Sequence, residues 1–500
     1  MGDRDAGRLY RFAPLDRTGW ILGLSAPQCG LIGVTIFAAS MAAQAEAAPL
    51  ILLVIIVAGL TVTFATWAGQ PAHDWLPLLA QHAFARTTGR QHWRAPLRQR
   101  PHTIATDLAL PPFLSGLRIV DAGETSWMAG PVPLGVIFDD RAHTLAATLR
   151  LSGRGFALSE RDEQDRLVQL WGETLASACV ERSPVVGLRV LEWAAPGGSG
   201  DHEQFAAHHA ADTADASAVA NYTELLRHAG PAATAHDTLL TVTIDSRRVR
   251  TGAGRPREQA AIETVGNELR RLAVRLDAAG LQTSAPLSAR QLASVLRLRC
   301  DPTAARRLAT RAQSLAEATG LVSLGNAGPM ATEVEWNRLR LDGALHRIYW
   351  VAEWPRLDVA AGWLEPLLLH AGGTRTIAIH YEPVPPSRAR RHIERDATRL
   401  ATDEAQRERS GFRIGARHRR AQTAVLEREA EMVAGHAELE FAGFVAVTAA
   451  DENGLDTACA TYEQAAAQAG IELRPVDGRH DRAFVCALPV PRGLTPRRFA

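Results

Sequence analysis

Two charge-free runs near the N-terminus constrain this chain more than any other feature. No Asp, Glu, Arg or Lys lies between Arg17 and Glu46, and none between Glu46 and Asp74. A bilayer crossing needs about 20 mainly apolar residues. The runs therefore predict two transmembrane helices joined by a tight turn, over Thr18–His73. The second, Pro49–Trp67, is dense in Leu, Ile and Val. The first, Trp20–Ala43, carries Pro27, Gln28 and several glycines, which a spanning helix tolerates when neighbours re-satisfy its backbone. Arg4, Arg8, Arg11 and Arg17 precede the hairpin, and Arg86, Arg90, Arg94, Arg98 and Arg100 follow it, whereas the turn has no basic residue. Cationic loops stay cytoplasmic, so a multi-pass inner-membrane protein with both termini in the cytoplasm is expected. Trp20 and Trp67, at the inner helix ends, and Trp75, on a short amphipathic helix over Asp74–Thr88, are the candidate membrane-interface residues, with lipid as their partner.

At 500 residues the length suggests about three domains. Net charge is +1, so no global field recruits nucleic acid or acidic lipid. All 55 basic residues are Arg. That excludes a P-loop, which needs a lysine on its phosphates, and a pyridoxal Schiff base. Cys29, Cys179, Cys300, Cys459 and Cys486 are dispersed without C-x-x-C or zinc spacing and read as reduced, packed thiols.

After a membrane region at 1–94, residues 95–132 are rich in Pro and Gly and are expected to form a surface linker. A first α+β unit is expected over 133–325. Val136–Phe138 and Thr144–Leu151 form a hairpin, a helix runs from Ser159 to about Glu181, and strands lie at Val185–Trp193 and Thr238–Ile244. Helices follow at Arg257–Ala279 and Ser288–Leu298. The last third, 326–500, repeats that grammar. A hairpin turns at Asp342-Gly343 between Trp336–Leu341 and Leu345–Trp354. Then come a helix near Ala360–Leu369, a strand at Arg375–Tyr381, and a charged helical tract from about Ser387 to Glu440. Phe444–Thr448, a helix at Leu455–Ala469, and strands at Ile471–Arg474 and Ala483–Leu488 close the chain. The expected fold class is α+β: a transmembrane hairpin followed by two cytoplasmic units, each an antiparallel sheet with helices on one face.

Catalytic signatures are absent from the sequence. Neither G-x-G-x-x-G nor G-x-S-x-G occurs, and Gly197-Gly198-Ser199-Gly200 has the wrong spacing for a nucleophile elbow. His202-Glu203 and His208-His209 lack the H-E-x-x-H arrangement of a zinc site. His480-Asp481 resembles a general-base pair only by adjacency. No catalytic residue, metal or cofactor is expected. Arg388–Arg420 holds eleven Arg against five Asp or Glu. It reads either as a solvated helix laced with i,i+4 pairs or as a surface for an acidic partner. Aromatic residues do not interleave there, which argues against nucleic acid. Arg388, Arg391 and Arg395, with Trp336, Trp350 and Trp354, are the partner-binding candidates.

Several stretches together resemble a family of actinobacterial membrane proteins encoded in conjugative elements beside a type IV secretion ATPase. They are Tyr10-Arg11-Phe12, Asp16-Arg17, Trp20–Leu24 with Gln28, Asp74–Pro77, Gly89-Arg90, Trp93-Arg94, Asp342-Gly343, Tyr349–Arg356, Glu382–Pro386 and Gly435–Glu438. The hairpin is similar to the two-helix PrgI-like subunit, and the α+β region resembles the non-catalytic N-terminal domain of the conjugation ATPase. The resemblance implies a non-catalytic inner-membrane scaffold, possible as an oligomer, that docks a separate motor ATPase among other membrane subunits. The alternatives are a type VII secretion component of EccE type and an unrecognised membrane enzyme.

Overall fold

The computed structural model describes residues 8–12, 26–45, 48–67, 70–96, 110–153, 155–197, 209, 215–229, 234–252, 254–304, 327–370, 372–409 and 415–493. They fall into two compact units. One takes its described residues from Met1–Phe12, His92–Ala389 and Gly435–Phe499, the other from Ala13–Gln91 and Arg390–Ala434.

The second of these contains α1 (Ala26–Gln44), α2 (Pro49–Phe64), the two-residue strands β1 (Thr66–Trp67) and β2 (Gln70–Pro71), and α3 (Ala72–Thr87). Helices α1 and α2 approach closely at Gly59, where an added Cβ would lie 2.2 Å from Thr35 Oγ1. Gln28 Nε2 donates to the Thr63 carbonyl at 3.2 Å. The expected transmembrane hairpin is overturned: among the described residues no helix is long and apolar enough to cross a membrane. Helix α2 is apolar but has 16 residues, a rise of about 24 Å against a hydrocarbon core of about 30 Å. Helix α1 reaches 19 residues but is diluted by Ala, Gly, Ser, Thr and Gln. Absence of charge is a weaker property than high hydropathy. The multi-pass inner-membrane placement falls with the hairpin. Trp20 lies outside the described residues, Trp67 pairs in β1 with Gln70, and the Trp75 ring is buried rather than presented to an interface.

The larger unit begins with β3 (His92–Arg94), β4 (Leu117–Trp127), β5 (Gly130–Asp139), β6 (Thr144–Ser152), α4 (Arg161–Ala176), β7 (Val185–Pro196), α5 (Ala216–Ala229) and β8 (Thr234–Asp245). It continues with α6 (Arg257–Ala278), β9 (Gln282–Pro286), α7 (Ala289–Cys300), β10 (Ala331–Val334), β11 (Leu339–Leu341), β12 (Ala344–Glu353), the single turn α8 (Glu365–Leu368) and β13 (Thr374–Pro383). Helices α9 (Pro386–Arg409) and α10 (Ala416–Val433), which from Arg390 on belong to the smaller unit, come next in the chain, and the larger unit resumes with β14 (Leu439–Ala449), α11 (Glu452–Gln468), β15 (Glu472–Pro475) and α12 (His480–Phe484).

The strands of both expected α+β units join one antiparallel sheet of 13 strands, ordered β3-β10-β11-β12-β14-β13-β7-β8-β6-β5-β4, with β15 beside β12 and β9 beside β6. The order discloses an internal repeat. Strands β4 to β9 pair among themselves as β10 to β15 do, with a helical insertion between the fourth and fifth strands of each set, β7–β8 and β13–β14. The halves meet where the equivalent strands β7 and β13 pair antiparallel, with Leu191 opposite Ala378 and Arg189 opposite His380. Period-2 alternation feeds two layers. Leu191, Leu239, Ala378 and Phe444 face α7 and α12 in one core. On the other face, Leu188 and Val242 lie under α4 and α6, and Ile377 and Val445 under α8 and α11.

Two sequence expectations change here. The linker at 95–132 contains the 11-residue strand β4, which absorbs its Gly by a register shift between Asp121 and Glu124. The apolar run Ala483–Leu488 is helical through Ala487 and does not pair as a strand. Its carbonyls are taken by Arg189, a wholly buried side chain. Nη1 of Arg189 donates to Val485 O (3.2 Å), Leu488 O (2.7 Å) and Val490 O (2.9 Å), and Nη2 to Arg492 O (2.8 Å). Arg492 in turn forks onto Asp139 with two contacts of 2.7 Å. Replacing Arg189 with Met takes the guanidinium from four carbonyls, of which Val485 O and Leu488 O keep only the Leu488 and Val490 amides at 3.2 and 2.9 Å. Breaking such a charged network costs about 3–5 kcal/mol, so urea unfolding of Arg189→Met should show a loss of that size with an unchanged m value.

Candidate functional site

The described surface concentrates its chemistry at the junction of the two halves, on the face away from α7 and α12. Tyr381 of β13 and Phe441 of β14 are cross-strand neighbours. Around them an aromatic seam runs from Trp171 of α4 (6.3 Å between centroids to Tyr381) through Phe441 to Trp354 (5.1 Å) and on to Trp363 (6.1 Å). Gly443 makes this possible. A Cβ there would sit 2.7 Å from Val351 Cγ2 and 3.0 Å from the Trp354 ring. Trp363 also lines a shallow cavity of about 530 Å³ with Glu365, Pro366, Leu369 and His370.

The N-terminal segment lies in this seam. Phe12 stacks on Trp354 at 5.4 Å and 18° and meets Trp363 edge-on at 5.1 Å. Tyr10 and Val359 exchange both backbone hydrogen bonds, at 2.8 and 2.9 Å. The Tyr10 hydroxyl donates to Asp165 Oδ1 at 2.9 Å and the Arg8 amide to Asp165 Oδ2 at 2.8 Å. Burial and the Asp165 carboxylate push the Tyr10 phenol up to about 12. Arg11 forks onto Asp358 at 2.8 and 3.1 Å, holding that carboxyl below its ordinary range. Sequence reasoning singled out Trp354 and the Tyr10–Phe12 stretch, but not that they meet. Trp363, Phe441, Asp165 and Asp358 carried no local signal, since their partners lie far along the chain.

The other candidates scatter. Trp350 is buried in the core shared with α7 and α12. Trp336 is half-buried against Gly478. Arg388 is half-buried near the start of α9, whereas Arg391 and Arg395 are exposed, one turn apart. Helices α9 and α10 join through Ile393, Leu400 and Val425, and Arg428 pairs with Asp396 at 3.2 Å.

Buried titratable groups are absorbed by the fold. His346 lies between Thr448 Oγ1 (2.9 Å) and the Cys300 carbonyl (3.0 Å). The carbonyl can only accept, so Nε2 carries the proton and Nδ1 accepts from the hydroxyl. His480 Nδ1 accepts from the Ile348 amide at 3.2 Å. Its Nε2 lies 3.5 Å from Asp477, so the carboxylate beside the ring is not the adjacent Asp481. Burial pushes the Cys179 and Cys300 thiols up to about 11 and about 12, far from nucleophilic thiolates. His202, Glu203 and His208 lie outside the described residues. No protein-family model matches the chain, and no curated protein matches it.

Burial lowers His346 to about 4. Burial, with the Arg189 cation opposite, lowers His380 to about 3, and burial also lowers His480. Each is neutral when folded and takes up a proton when unfolded below about pH 6.5. Their contribution to stability is therefore complete above that value and is lost as pH falls toward 4. Urea midpoints between pH 7 and 4.5 should drop with acid, and His346→Gln should flatten the dependence.

Proposed function

We propose that the chain is a non-catalytic scaffold of a type IV-like conjugation or secretion apparatus, one that docks a separate motor ATPase. Three things support this reading. The first is the resemblance of stretches spread along the chain. The second is a sequence without lysine, which cannot supply a P-loop to drive the apparatus itself. The third, which carries the argument, is the helix pair α9–α10. Its apolar positions close on each other, while Arg391 and Arg395 are exposed and form no ion pair among the described residues.

Residues four apart lie on one helix face. Two guanidinium forks there form a row suited to paired carboxylates on a partner. Charges at such a rim set partner choice and association rate and are weakened by salt. The pair arises as an insertion between adjacent strands, so it adds a binding element without interrupting the sheet.

In a pull-down with the motor ATPase of the same apparatus, Arg391→Glu/Arg395→Glu should lower capture at least tenfold. Wild-type capture should weaken as salt rises from about 0.1 to 0.5 M, where the Debye length shrinks below about 10 Å. Both side chains are exposed, so the unfolding free energy should stay within about 0.5 kcal/mol of wild type. Undiminished capture by the variant would remove α9 from the interface. ATP hydrolysis by the purified chain would overturn the non-catalytic reading.

A further inference from the structure

We propose that the aromatic seam at Trp354, Trp363 and Phe441 is a recognition groove for an extended aromatic–arginine–aromatic peptide, and that the chain's own Arg8–Phe12 is its resident, releasable occupant. The inference is independent of the motor-docking reading.

The contacts have the form of peptide recognition rather than of core packing. Among the described residues, main-chain pairing of this segment is confined to one two-bond bridge, Tyr10 with Val359. Three anchors surround it. Phe12 enters between two indole rings, and Arg11 forks onto Asp358. The Tyr10 hydroxyl and the Arg8 amide share the two oxygens of Asp165. Backbone pairing for affinity and pockets for side chains at fixed positions are the general mode by which proteins read extended peptides. Leu9, between the anchors, is 62% exposed, as expected for a segment that lies on a surface rather than within a core.

The receptor walls are built by other parts of the fold. Phe441 is held in the β13–β14 ladder. Trp354 is seated over Gly443, and Asp165 belongs to α4. The groove is thus preorganised whether or not the segment is present. A tethered ligand acts at an effective concentration on the order of millimolar. Even a weakly binding segment therefore keeps the groove closed to a free peptide of the same chemistry.

The test uses a fluorescein-labelled peptide of residues 6–14 and fluorescence anisotropy on the full-length chain. Tyr10→Ala/Phe12→Ala should bind it at least tenfold more tightly than wild type. An unlabelled peptide carrying Phe12→Ala should fail to compete. Adding Trp363→Ala to the released chain should abolish binding. Should the double variant fail to fold by circular dichroism, Arg11→Glu sets a carboxylate against Asp358 and loosens the strap without touching a ring. That variant should also bind more tightly than wild type. Equal binding by wild type and by the folded released variant, including no binding by either, would overturn the proposal. So would binding that survives Trp363→Ala.

Discussion

The structure depends on a buried cation that has no carboxylate partner among the described residues. Arg189 is wholly enclosed, and its charge is met by four main-chain carbonyls from Val485 to Arg492. Taking a guanidinium out of water costs several kcal/mol, and burial accordingly pulls its pKa down. Charge-assisted hydrogen bonds return about 1.5–3 kcal/mol each, so only a full set of acceptors balances the cost. The set exists because the C-terminal segment turns into a short helix and a tight loop, aiming these four carbonyls at one point. This contact seals the core over α7 and α12 and places Arg492 where it forks onto Asp139. Burial alone would raise that carboxyl, but the Arg492 fork outweighs it and lowers it.

Arg189 also stands on the seam between the two halves, opposite His380. On the other side of the same strand pair Glu192 faces Arg375, 3.5 Å away. Glu192 also holds His236 at 2.7 Å. The centre of the sheet therefore carries a cation on one face and an ion pair on the other, where uniform apolar packing would permit register slips. An antiparallel pair of equivalent strands can slide by two residues without changing which side chains point inward. Polar groups with fixed partners make such a slide leave charges unpaired. Specificity of register at the junction is the physical return for burying them.

Local elements were legible because their signals are local. Asp342-Gly343 turns a hairpin as its sequence says, with Asp342 at φ 50° and its carboxylate accepting the Met330 and Ala331 amides at 2.8 Å. Ser288 caps α7 with Gln291 in a reciprocal pair, and the apolar stripe of α6 from Val265 to Leu276 is buried as its spacing requires. Joining the halves into one sheet was not legible, since the β7–β13 pairing links residues far apart in sequence and leaves no periodicity. Ala483–Leu488 misleads for another reason. A segment buried on every side has no polar face to set a period, and whether it pairs as a strand is decided by Arg189. The charge-free N-terminal runs mislead for two reasons: in the first, Ala, Gly, Ser and Thr avoid charge without supplying the hydropathy of Leu and Ile, and the second has that hydropathy but forms a helix of only 16 residues.

The aromatic seam and the arginine-bearing helices were each visible in sequence only as composition. What gives them consequence is their place in the repeat. Strands β13 and β14 pair to their ends, with Pro383 opposite Leu439, and β7 and β8 end likewise with Pro196 opposite Thr234. In each half the insertion leaves and re-enters at neighbouring points. Its length therefore changes closure entropy only logarithmically and removes no ladder bond. The first half holds a single described helix, α5, at this position, and the second holds the longer pair α9–α10. One insertion site can thus be elaborated in one copy of the repeat while the sheet that carries it stays the same. A chain built this way can acquire a partner-specific arm at no cost to its core.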